Sequence, residues 1–179
     1  VDHILVFSND CADGTDALLD DLARLGHVQH LATPLEITPP DSALRKSPHL
    51  TGIAYARRLR AWRDADYIFL TDVDEFPNLR GGDATLKLLL ARLDWPDVLT
   101  MPETVFGTGD IVTFQDLPIT QQFNRSASME PGKWRARRGF KSITRNRPRL
   151  SIRNHRPIAK ENIARDLRWL DGSGNSFPM

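Results

Sequence analysis

The stretch Tyr67–Phe76, YIFLTDVDEF, decides how the rest of the chain is interpreted. Its first four residues are aromatic, β-branched or leucine, which predicts a short buried strand. Asp72, Asp74 and Glu75 follow where this strand should end. Carboxylates at the end of a central strand need a cationic partner, because burial without one costs desolvation free energy. A divalent metal that carries a phosphate-bearing ligand is the natural partner.

Strand and helix patterns alternate on both sides of this stretch. Strand patterns cover His3–Phe7, Val28–Leu31, Tyr67–Leu70 and Val98–Met101, and helix patterns cover Asp16–Leu25, Leu50–Arg63 and Thr85–Leu93. The alternation predicts an α/β domain with three layers, α/β/α, around a mostly parallel central sheet. Further along, Lys141–Arg145 and Leu150–Asn154 have short strand patterns, and Ile163–Leu170 has a helix pattern.

Length and composition indicate one globular domain. The chain has 179 residues, enough for a core, and its composition is that of a folded rather than a disordered protein. The single cysteine, Cys11, excludes an internal disulfide and fits a reducing compartment. We therefore expect a cytoplasmic protein, with the membrane surface as an alternative location. No apolar stretch is long enough to span a bilayer.

The charges are unevenly distributed along the chain. Residues 1–124 carry 10 Lys and Arg against 19 Asp and Glu, whereas residues 125–179 carry 14 against 4. Either an anionic ligand binds between the two parts, or the parts neutralise each other within the domain. The basic run Lys133–Arg153 includes Trp134 and Phe140, but no nucleic-acid-binding motif accompanies it. We expect no nucleic-acid partner, and a solvated surface is the commonest explanation of such a run.

Two carboxylates of the central stretch are the first candidates for metal binding. In an extended or tightly turned segment, Asp72 and Asp74 project to the same side and can share Mg²⁺ or Mn²⁺. His155 follows a late strand pattern, and a neutral imidazole can complete such a site. The alternative is an acidic loop that caps the next helix, with His155 in a structural role.

A polar turn, Ser8–Thr15 (SNDCADGT), follows the first strand pattern. In a parallel α/β sheet, ligands bind outside the carboxyl ends of the strands, so this turn is expected near the acidic end of the central strand. Asn9 and Asp10 can hydrogen-bond a base or a ribose. Asp13 or Thr15 can also cap the helix that follows, and both roles can hold in the same loop.

Four motifs, in order, make the chain resemble bacterial family 2-like glycosyltransferases, which have the GT-A fold. They are SNDCADGT at Ser8–Thr15, DYIFLTDVDEF at Asp66–Phe76, FGTG at Phe106–Gly109 and HRP at His155–Pro157. The DxDEF segment is the most specific and HRP the least. That family begins with a strand and helix that have no counterpart here, and Val1 is not an initiator Met. We therefore expect a fragment, a GT-A-like domain that lacks its first strand.

The resemblance implies one domain over residues 1–179. Residues 1–101 would bind a nucleotide-sugar, and residues 102–179 would form the acceptor side and the basic half. The implied activity is metal-dependent, inverting transfer of a sugar from a nucleoside-diphosphate sugar to a glycan or another hydroxyl acceptor. Mn²⁺ or Mg²⁺ would be the cofactor. The nucleotide base, the sugar and the oligomeric state are not specified by these residues.

The same resemblance implies roles for individual residues. Asp74 would ligate the metal, Asp72 would contact the ribose or the metal, and His155 would be a further ligand. The nucleotide would contact side chains of the polar turn, namely Ser8, Asn9, Asp10 and Asp13.

Inversion by direct displacement requires a carboxylate that takes the proton of the acceptor. Asp110, in the FGTGD loop, is the first candidate for this base, Glu103 is the second, and Glu130 is also considered. The alternative for Asp110 is an ordinary turn residue.

Two other functions stay open. A haloacid-dehalogenase-type phosphohydrolase also places a DxD motif after an apolar strand, and its first Asp is a nucleophile. That family has its DxD near the start, with a later Lys and an acidic pair, and no acidic pair is evident after Asp110. The other alternative is a glycosyltransferase-like binding module without turnover.

Overall fold

The computed structural model describes residues 2–33, 47–79, 85–126, 139–148, 150–159 and 166–177. Its helices are α1 (Thr15–Arg24), α2 (Pro48–Ala56), α3 (Arg60–Arg63), α4 (Leu86–Arg92) and α5 (Ile119–Gln122). Its strands are β1 (Leu5–Ser8), β2 (Gln29–Ala32), β3 (Tyr67–Phe69), β4 (Val98–Pro102), β5 (Phe106–Gly107), β6 (Arg125–Ser126), β7 (Phe140–Arg145), β8 (Leu150–Ser151), β9 (Ile158–Ala159) and β10 (Trp169–Asp171). None of the helices in these ranges is long and apolar enough to cross a membrane.

Four strands form the largest sheet of the described residues, in the order β10-β4-β7-β3. β4 pairs in parallel with β10, whereas β7 pairs antiparallel with both β3 and β4. β1 and β2 pair in parallel in a separate two-stranded sheet. The pairs β5 with β6 and β8 with β9 are small and antiparallel.

The predicted three-layer α/β/α domain with a mostly parallel central sheet is therefore wrong. The described strands form several small mixed or antiparallel sheets instead. The cause is β7, which follows β4 in the sequence but lies between β3 and β4 in space. A short apolar strand pattern encodes neither its direction nor its neighbours, so the pattern of β7 fits a parallel and an antiparallel position equally well.

Apolar side chains of β3 pack into two different clusters. Tyr67 and Phe69 pack against a cluster that contains Leu99, whereas Ile68 belongs to a cluster that contains Trp62. Successive side chains of a strand point to opposite faces, so both faces of β3 are covered. This confirms a strand covered on both faces at the start of YIFLTDVDEF, but the expected central position is wrong, because β3 lies at the edge of the four-stranded sheet.

Local sequence signals explain the start of α2 and its packing. Ser47 precedes the helix and its Oγ accepts a hydrogen bond from the Leu50 N–H at 3.4 Å, and Pro48 is the first helical residue. Gly52 faces the ring of Phe7 so closely that an added Cβ would lie 3.4 Å from it. α2 is thereby packed against β1.

Two predicted helices differ from the observed ones. The helix predicted over Leu50–Arg63 is divided into α2 and α3. The helix predicted over Ile163–Leu170 is wrong at its end, because Trp169–Asp171 form β10 beside β4. The indole N–H of Trp169 donates a hydrogen bond to buried Thr100 of β4. This tertiary contact outweighs the local helix pattern, as packing contacts commonly do.

Candidate functional site

The acidic stretch after β3 forms a tight turn. The Glu75 N–H donates to the Asp72 carbonyl at 3.1 Å, and the Asp72 N–H donates to the Glu75 carboxylate at 2.9 Å. Thr71 Oγ1 lies 3.2 Å from the same carboxylate oxygen. Val73 and Asp74 are exposed at the tip of the turn. The turn therefore brings together side chains three positions apart, 72 and 75, and not the pair 72 and 74 that an extended segment would align.

The ammonium group of Lys141 lies between these two carboxylates. Its Nζ donates to Asp72 Oδ2 at 3.1 Å, to Glu75 Oε2 at 2.9 Å and to Asn154 Oδ1 at 3.1 Å. Lys141 is only 4% exposed, because β7 runs between β3 and β4. An ammonium group has three N–H donors, so all of them have acceptors. The acidic turn thus has a cationic partner within the chain.

Burial is the largest single influence on the pKa of Lys141, and it acts to lower that pKa. The hydrogen bonds to Glu75 and Asp72, together with the charges of these carboxylates, act in the opposite direction and outweigh it. The pKa of Lys141 is therefore raised above its usual value, and the side chain stays charged at neutral pH.

His49, in the first turn of α2, contacts the other carboxylate oxygen of Asp72. Its Nε2 lies 3.2 Å from Asp72 Oδ1, and its Nδ1 lies 3.5 Å from Asn154 Nδ2. Asp72 and Asn154 therefore connect His49 to Lys141. We call this connected group the Lys141 cluster: His49, Asp72, Glu75, Lys141 and Asn154.

The predicted metal ligands do not lie together. Asp72 belongs to the Lys141 cluster, whereas Asp74 is exposed and makes no hydrogen bond or ion pair within the described residues. His155 Nδ1 lies 3.3 Å from the Phe140 carbonyl and 3.7 Å from Glu103 Oε1. Across the described ranges, no group of three or more His, Cys, Asp or Glu side chains is arranged to hold a metal ion.

A divalent metal fits this place only if the substrate supplies part of its ligands. Mg²⁺ in particular is commonly held by one or two carboxylates together with phosphate oxygens and waters. Asp74 offers an exposed carboxylate, and the partly exposed carboxylate of Asp72 lies two residues before it in the same turn. These two residues would hold the metal, whereas the observed contacts of His155 are with Glu103 and the Phe140 carbonyl.

The polar turn after β1 is held by contacts with β2 and its continuation. Ser8 is buried, and its Oγ lies 2.7 Å from His30 Nε2. Asn9 Nδ2 donates to the Thr33 carbonyl at 2.8 Å. These contacts tie Ser8 and Asn9 to β2, so their side chains serve the two-stranded sheet.

Two acidic residues of this turn lie at the surface. Asp10 is exposed and has a positive φ of 49°, which Asp tolerates better than most residues. Asp13 accepts a hydrogen bond from the Thr15 N–H at 3.1 Å, and its hydrogen bonds with Thr15 lower the pKa of the Asp13 carboxyl. Asp13 thus binds the N–H of the first residue of α1, but the N-cap is Gly14 and no side chain makes a cap hydrogen bond there, so the predicted cap by Asp13 or Thr15 is wrong.

Ser8, His30 and Asp20 form a hydrogen-bonded chain that the sequence patterns did not indicate. His30 Nδ1 lies 2.7 Å from Asp20 Oδ1, and Asp16 Oδ1 lies 3.7 Å from His30 Nε2. The order is that of a nucleophile, a base and an orienting carboxylate. Ser8 is only 6% exposed, so a substrate cannot reach its hydroxyl. The hydrogen bonds of Ser8, His30 and Asp20 instead connect β1, β2 and α1.

Glu103, a predicted base, lies at the same edge of the four-stranded sheet as the Lys141 cluster. β4 and β7 pair so that Pro102 is opposite Phe140, and Glu103 follows Pro102 directly. The Glu103 N–H donates to the Gly139 carbonyl at 3.0 Å, which continues this pairing beyond the strands. The imidazole of His155 stands beside the Glu103 carboxylate.

Asp110 lies in the long connection between the paired strands β5 and β6, which also contains α5. We call β5, β6 and this connection the β5–β6 hairpin. The side chain of Asp110 is 97% exposed and lies 3.8 Å from Arg125, and its backbone φ is 70°. A cavity of 270 Å³ runs along this hairpin. Its lining is rich in amide groups and includes Thr108, Gln115, Gln121, Gln122, Asn124 and Arg125. The third candidate base, Glu130, lies outside the described residues.

A second cavity, of 530 Å³, lies away from the acidic turn. Its lining includes Arg57, Trp62 and Arg147 but no member of the Lys141 cluster. Arg147 also pairs with buried Asp97 at 3.0 Å. Together with the contacts of Lys141, this pair supports the second interpretation of the charge distribution for the described residues, in which acidic and basic parts of the chain neutralise each other within the domain.

Sequence patterns did not single out the centre of the Lys141 cluster. The sequence contained one signal for it, the lysine at the first position of the strand pattern KSITR. If that strand is buried, the lysine ammonium needs a hydrogen-bond acceptor. The basic run was instead interpreted as a solvated surface, which is wrong for Lys141. His49 and Asn154 had no such signal, since their contacts depend on how α2 and the segment after β8 pack.

Comparisons with known proteins found no match, neither with a protein-family model, nor with a curated protein, nor with a solved structure. The resemblance to family 2-like glycosyltransferases stays a prediction that rests on the four sequence motifs.

Proposed function

We propose that this protein is a metal-dependent glycosyltransferase that moves a sugar from a nucleoside-diphosphate sugar to a hydroxyl acceptor, with inversion. The observation that carries the proposal is the acidic turn after β3. Asp74 is exposed at the tip of this turn. The position of Asp72 is fixed by its ion pair with the buried ammonium group of Lys141. A carboxylate turn that is held in place before a ligand arrives suits the binding of a metal and a diphosphate.

In this proposal the acidic turn receives the diphosphate end of the donor. Asp74 and Asp72 would hold Mn²⁺ or Mg²⁺, which stabilises the negative charge that develops on the leaving diphosphate. Lys141 fixes the position of Asp72 through its buried hydrogen bond. Asp10, which is exposed in the turn after β1, would contact the ribose or base, whereas Ser8 and Asn9 bind to β2 and its continuation.

Glu103 is the base that the geometry supports best. It lies at the sheet edge where β4 ends and β7 begins, beside His155, which can orient its carboxylate. Asp110 is the alternative base, beside the amide-lined cavity of the β5–β6 hairpin. Amide groups hydrogen-bond sugar hydroxyls through both their oxygen and their nitrogen, so this cavity is where we place a glycan acceptor.

The remaining expectations belong to the same proposal. The single cysteine supports a reducing compartment, the cytoplasm, as the place of action. A nucleotide-sugar donor and a hydroxyl acceptor are the proposed partners, and no nucleic acid is among them.

A thermal-shift series with UDP, GDP, CDP and dTDP, with and without Mn²⁺, tests the donor class. One diphosphate at 100 times its Kd should raise the free energy of unfolding by about 2.7 kcal/mol, a Tm rise of about 5–10 °C. Asp74→Asn should remove the part of the shift that depends on Mn²⁺. Asp66→Asn, an exposed carboxylate at the other end of β3, is the matched control and should behave as wild type. A folded protein that responds to none of the four nucleotides contradicts the proposal.

One contact favours a second candidate, the haloacid-dehalogenase-type phosphohydrolase. That family has a Lys after its DxD motif, and Lys141 contacts the first Asp of the motif here, Asp72. Release of phosphate from p-nitrophenyl phosphate that is lost in Asp72→Asn would establish this activity. Nucleotide binding without sugar transfer or nucleotide-sugar hydrolysis would instead indicate the binding module.

A further inference from the structure

Three oxygen atoms converge on one buried point beside the acidic turn, and the chain itself fills that point with a cation. The oxygens belong to Asp72, Glu75 and Asn154, and all three lie within 3.1 Å of the Lys141 nitrogen. Two carboxylates and an amide carbonyl are the donors that hard divalent cations prefer. A metal ion in the free protein would therefore compete with Lys141 for this place.

The three oxygen atoms favour the ammonium group of Lys141 over a metal ion. This ammonium group is covalently tethered, and the Lys141 side chain is 5% exposed. A metal that entered between Asp72 and Glu75 would leave the ammonium without acceptors, buried and next to a doubly charged ion. The contacts made by the lysine thus oppose metal binding between these two carboxylates.

Asp74 stands outside this arrangement. It projects from the tip of the turn and has no ion pair within the described part of the chain. A single exposed carboxylate binds Mg²⁺ or Mn²⁺ weakly, because affinity depends on the number and charge of the ligands. Phosphate oxygens of a bound diphosphate would supply the missing ligands.

We propose that Lys141 is a built-in counter-ion that excludes divalent metal from the point between Asp72 Oδ2 and Glu75 in the free protein. The metal then binds only together with the diphosphate of the donor, at the outer side of the turn, through Asp74 and the Asp72 oxygen that Lys141 does not contact, Oδ1. This inference deepens the proposed transferase function and rests on it for the identity of the diphosphate. The exclusion itself is a property of the free chain.

Mn²⁺ binding without nucleotide, followed by the electron paramagnetic resonance signal of free Mn²⁺, tests the exclusion directly. Wild type should bind weakly, with a Kd of about 1 mM or above. Lys141→Met removes the charge and leaves three oxygen donors, so it should bind Mn²⁺ at least ~10-fold more tightly. A lysine that does not compete with the metal for these oxygens would give no gain of Mn²⁺ affinity when it is replaced.

Two control variants sharpen the comparison. Lys141→Met combined with Glu75→Gln removes one of the charged oxygen donors, and its Mn²⁺ affinity should return towards that of wild type. Lys87→Met, which changes an exposed lysine of α4, should leave Mn²⁺ binding unchanged. Circular dichroism establishes that each variant is folded.

An unchanged Mn²⁺ affinity in folded Lys141→Met overturns the proposal. Tight binding by wild type alone, with a Kd below about 0.1 mM, overturns it as well and does not require any variant to fold. Weak binding by wild type that UDP, GDP, CDP or dTDP tightens ~10-fold or more supports the coupling to a diphosphate. If none of these nucleotides binds but Lys141→Met gains Mn²⁺ affinity, the exclusion holds and the donor class is wrong.

Discussion

Replacement of Lys141 by methionine should lower the free energy of unfolding by about 3 kcal/mol. Methionine keeps a flexible apolar chain inside β7 but cannot donate hydrogen bonds. Asp72 and Glu75 then lose their shared cation, and Asn154 loses a donor. The variant isolates the charge of Lys141 from its packing.

The magnitude follows from how exposed the two carboxylates are. Removing one partner of a buried ion pair costs about 3–5 kcal/mol, because the other charge stays buried and unpaired. The side chains of Asp72 and Glu75 are 36% and 27% exposed, so water can solvate them once the ammonium is gone. The lower end of that range therefore applies. Against a typical total of about 5–15 kcal/mol, the variant should remain folded.

Urea denaturation measures this loss, with the slope m unchanged and the midpoint lowered. For a chain of this size, a loss of about 3 kcal/mol corresponds to a Tm lower by about 6–12 °C. Lys87→Met, on the exposed side of α4, is the matched control and should change stability by less than about 0.5 kcal/mol. A loss below about 1 kcal/mol in Lys141→Met would refute the assignment of Lys141 as the buried counter-ion.

The pH dependence gives a second check on the same residue. Because the pKa of Lys141 is raised in the folded protein, its stabilisation is complete below the unfolded value, about 10.4, and is lost as pH rises through the folded value. The stability difference between wild type and Lys141→Met should therefore be constant at neutral pH. It should shrink only above about pH 10.4, and a difference that disappears near pH 7 would contradict the burial of a charged ammonium.

Three further variants test other parts of the molecule. Leu99→Ala should lower the free energy of unfolding by about 2–5 kcal/mol in urea, because Leu99 is 0% exposed in the core. Gly139→Ala would push a Cβ into the Glu103 carboxylate, so kcat of sugar transfer should fall about 10-fold while Tm changes little, since only the end of a side chain must move. Ser8→Ala removes the group that faces His30 Nε2 and should cost about 1–3 kcal/mol in thermal denaturation without changing kcat.

Elements with local start and stop signals were predictable from the sequence. α1 was predicted over Asp16–Leu25 and is observed over Thr15–Arg24, because Asp13 binds the N–H of its first residue, Thr15, and Gly26 supplies the positive φ, 79°, that ends it. β3 was predictable for a similar reason, since four consecutive apolar residues precede an acidic turn.

The direction of β7 and the identity of β10 were not predictable in this way. Both depend on partners far away in the sequence, such as Thr100, which accepts a hydrogen bond from Trp169. Nothing within FKSITR or WLD indicates which strand lies beside it. The predicted parallel sheet was wrong for this reason: β7 pairs antiparallel with β3 and β4, and β10 joins the sheet where a helix was predicted.

The candidate site was predictable in its position but not in its chemistry. Asp72 lies after β3 as predicted, but its cation partner within the described residues is Lys141, from much later in the chain. The turn is also tighter than a strand, so Glu75 rather than Asp74 shares this cation with Asp72. Side chains alternate in direction with a period of two only along extended backbone, so this rule does not hold where the chain reverses in a turn.

The place of β7 in the sheet has a consequence for how the protein forms during synthesis. β3 and β4 leave the ribosome first, yet each pairs with β7 and not with the other. At about 5–20 residues per second, the stretch between β4 and β7 takes about 2–8 s to synthesise. During that time both strands have unpaired edges, which attract other chains. The edges of β3 and β4 that later face β7 are therefore open to pairing with other chains until β7 has been synthesised.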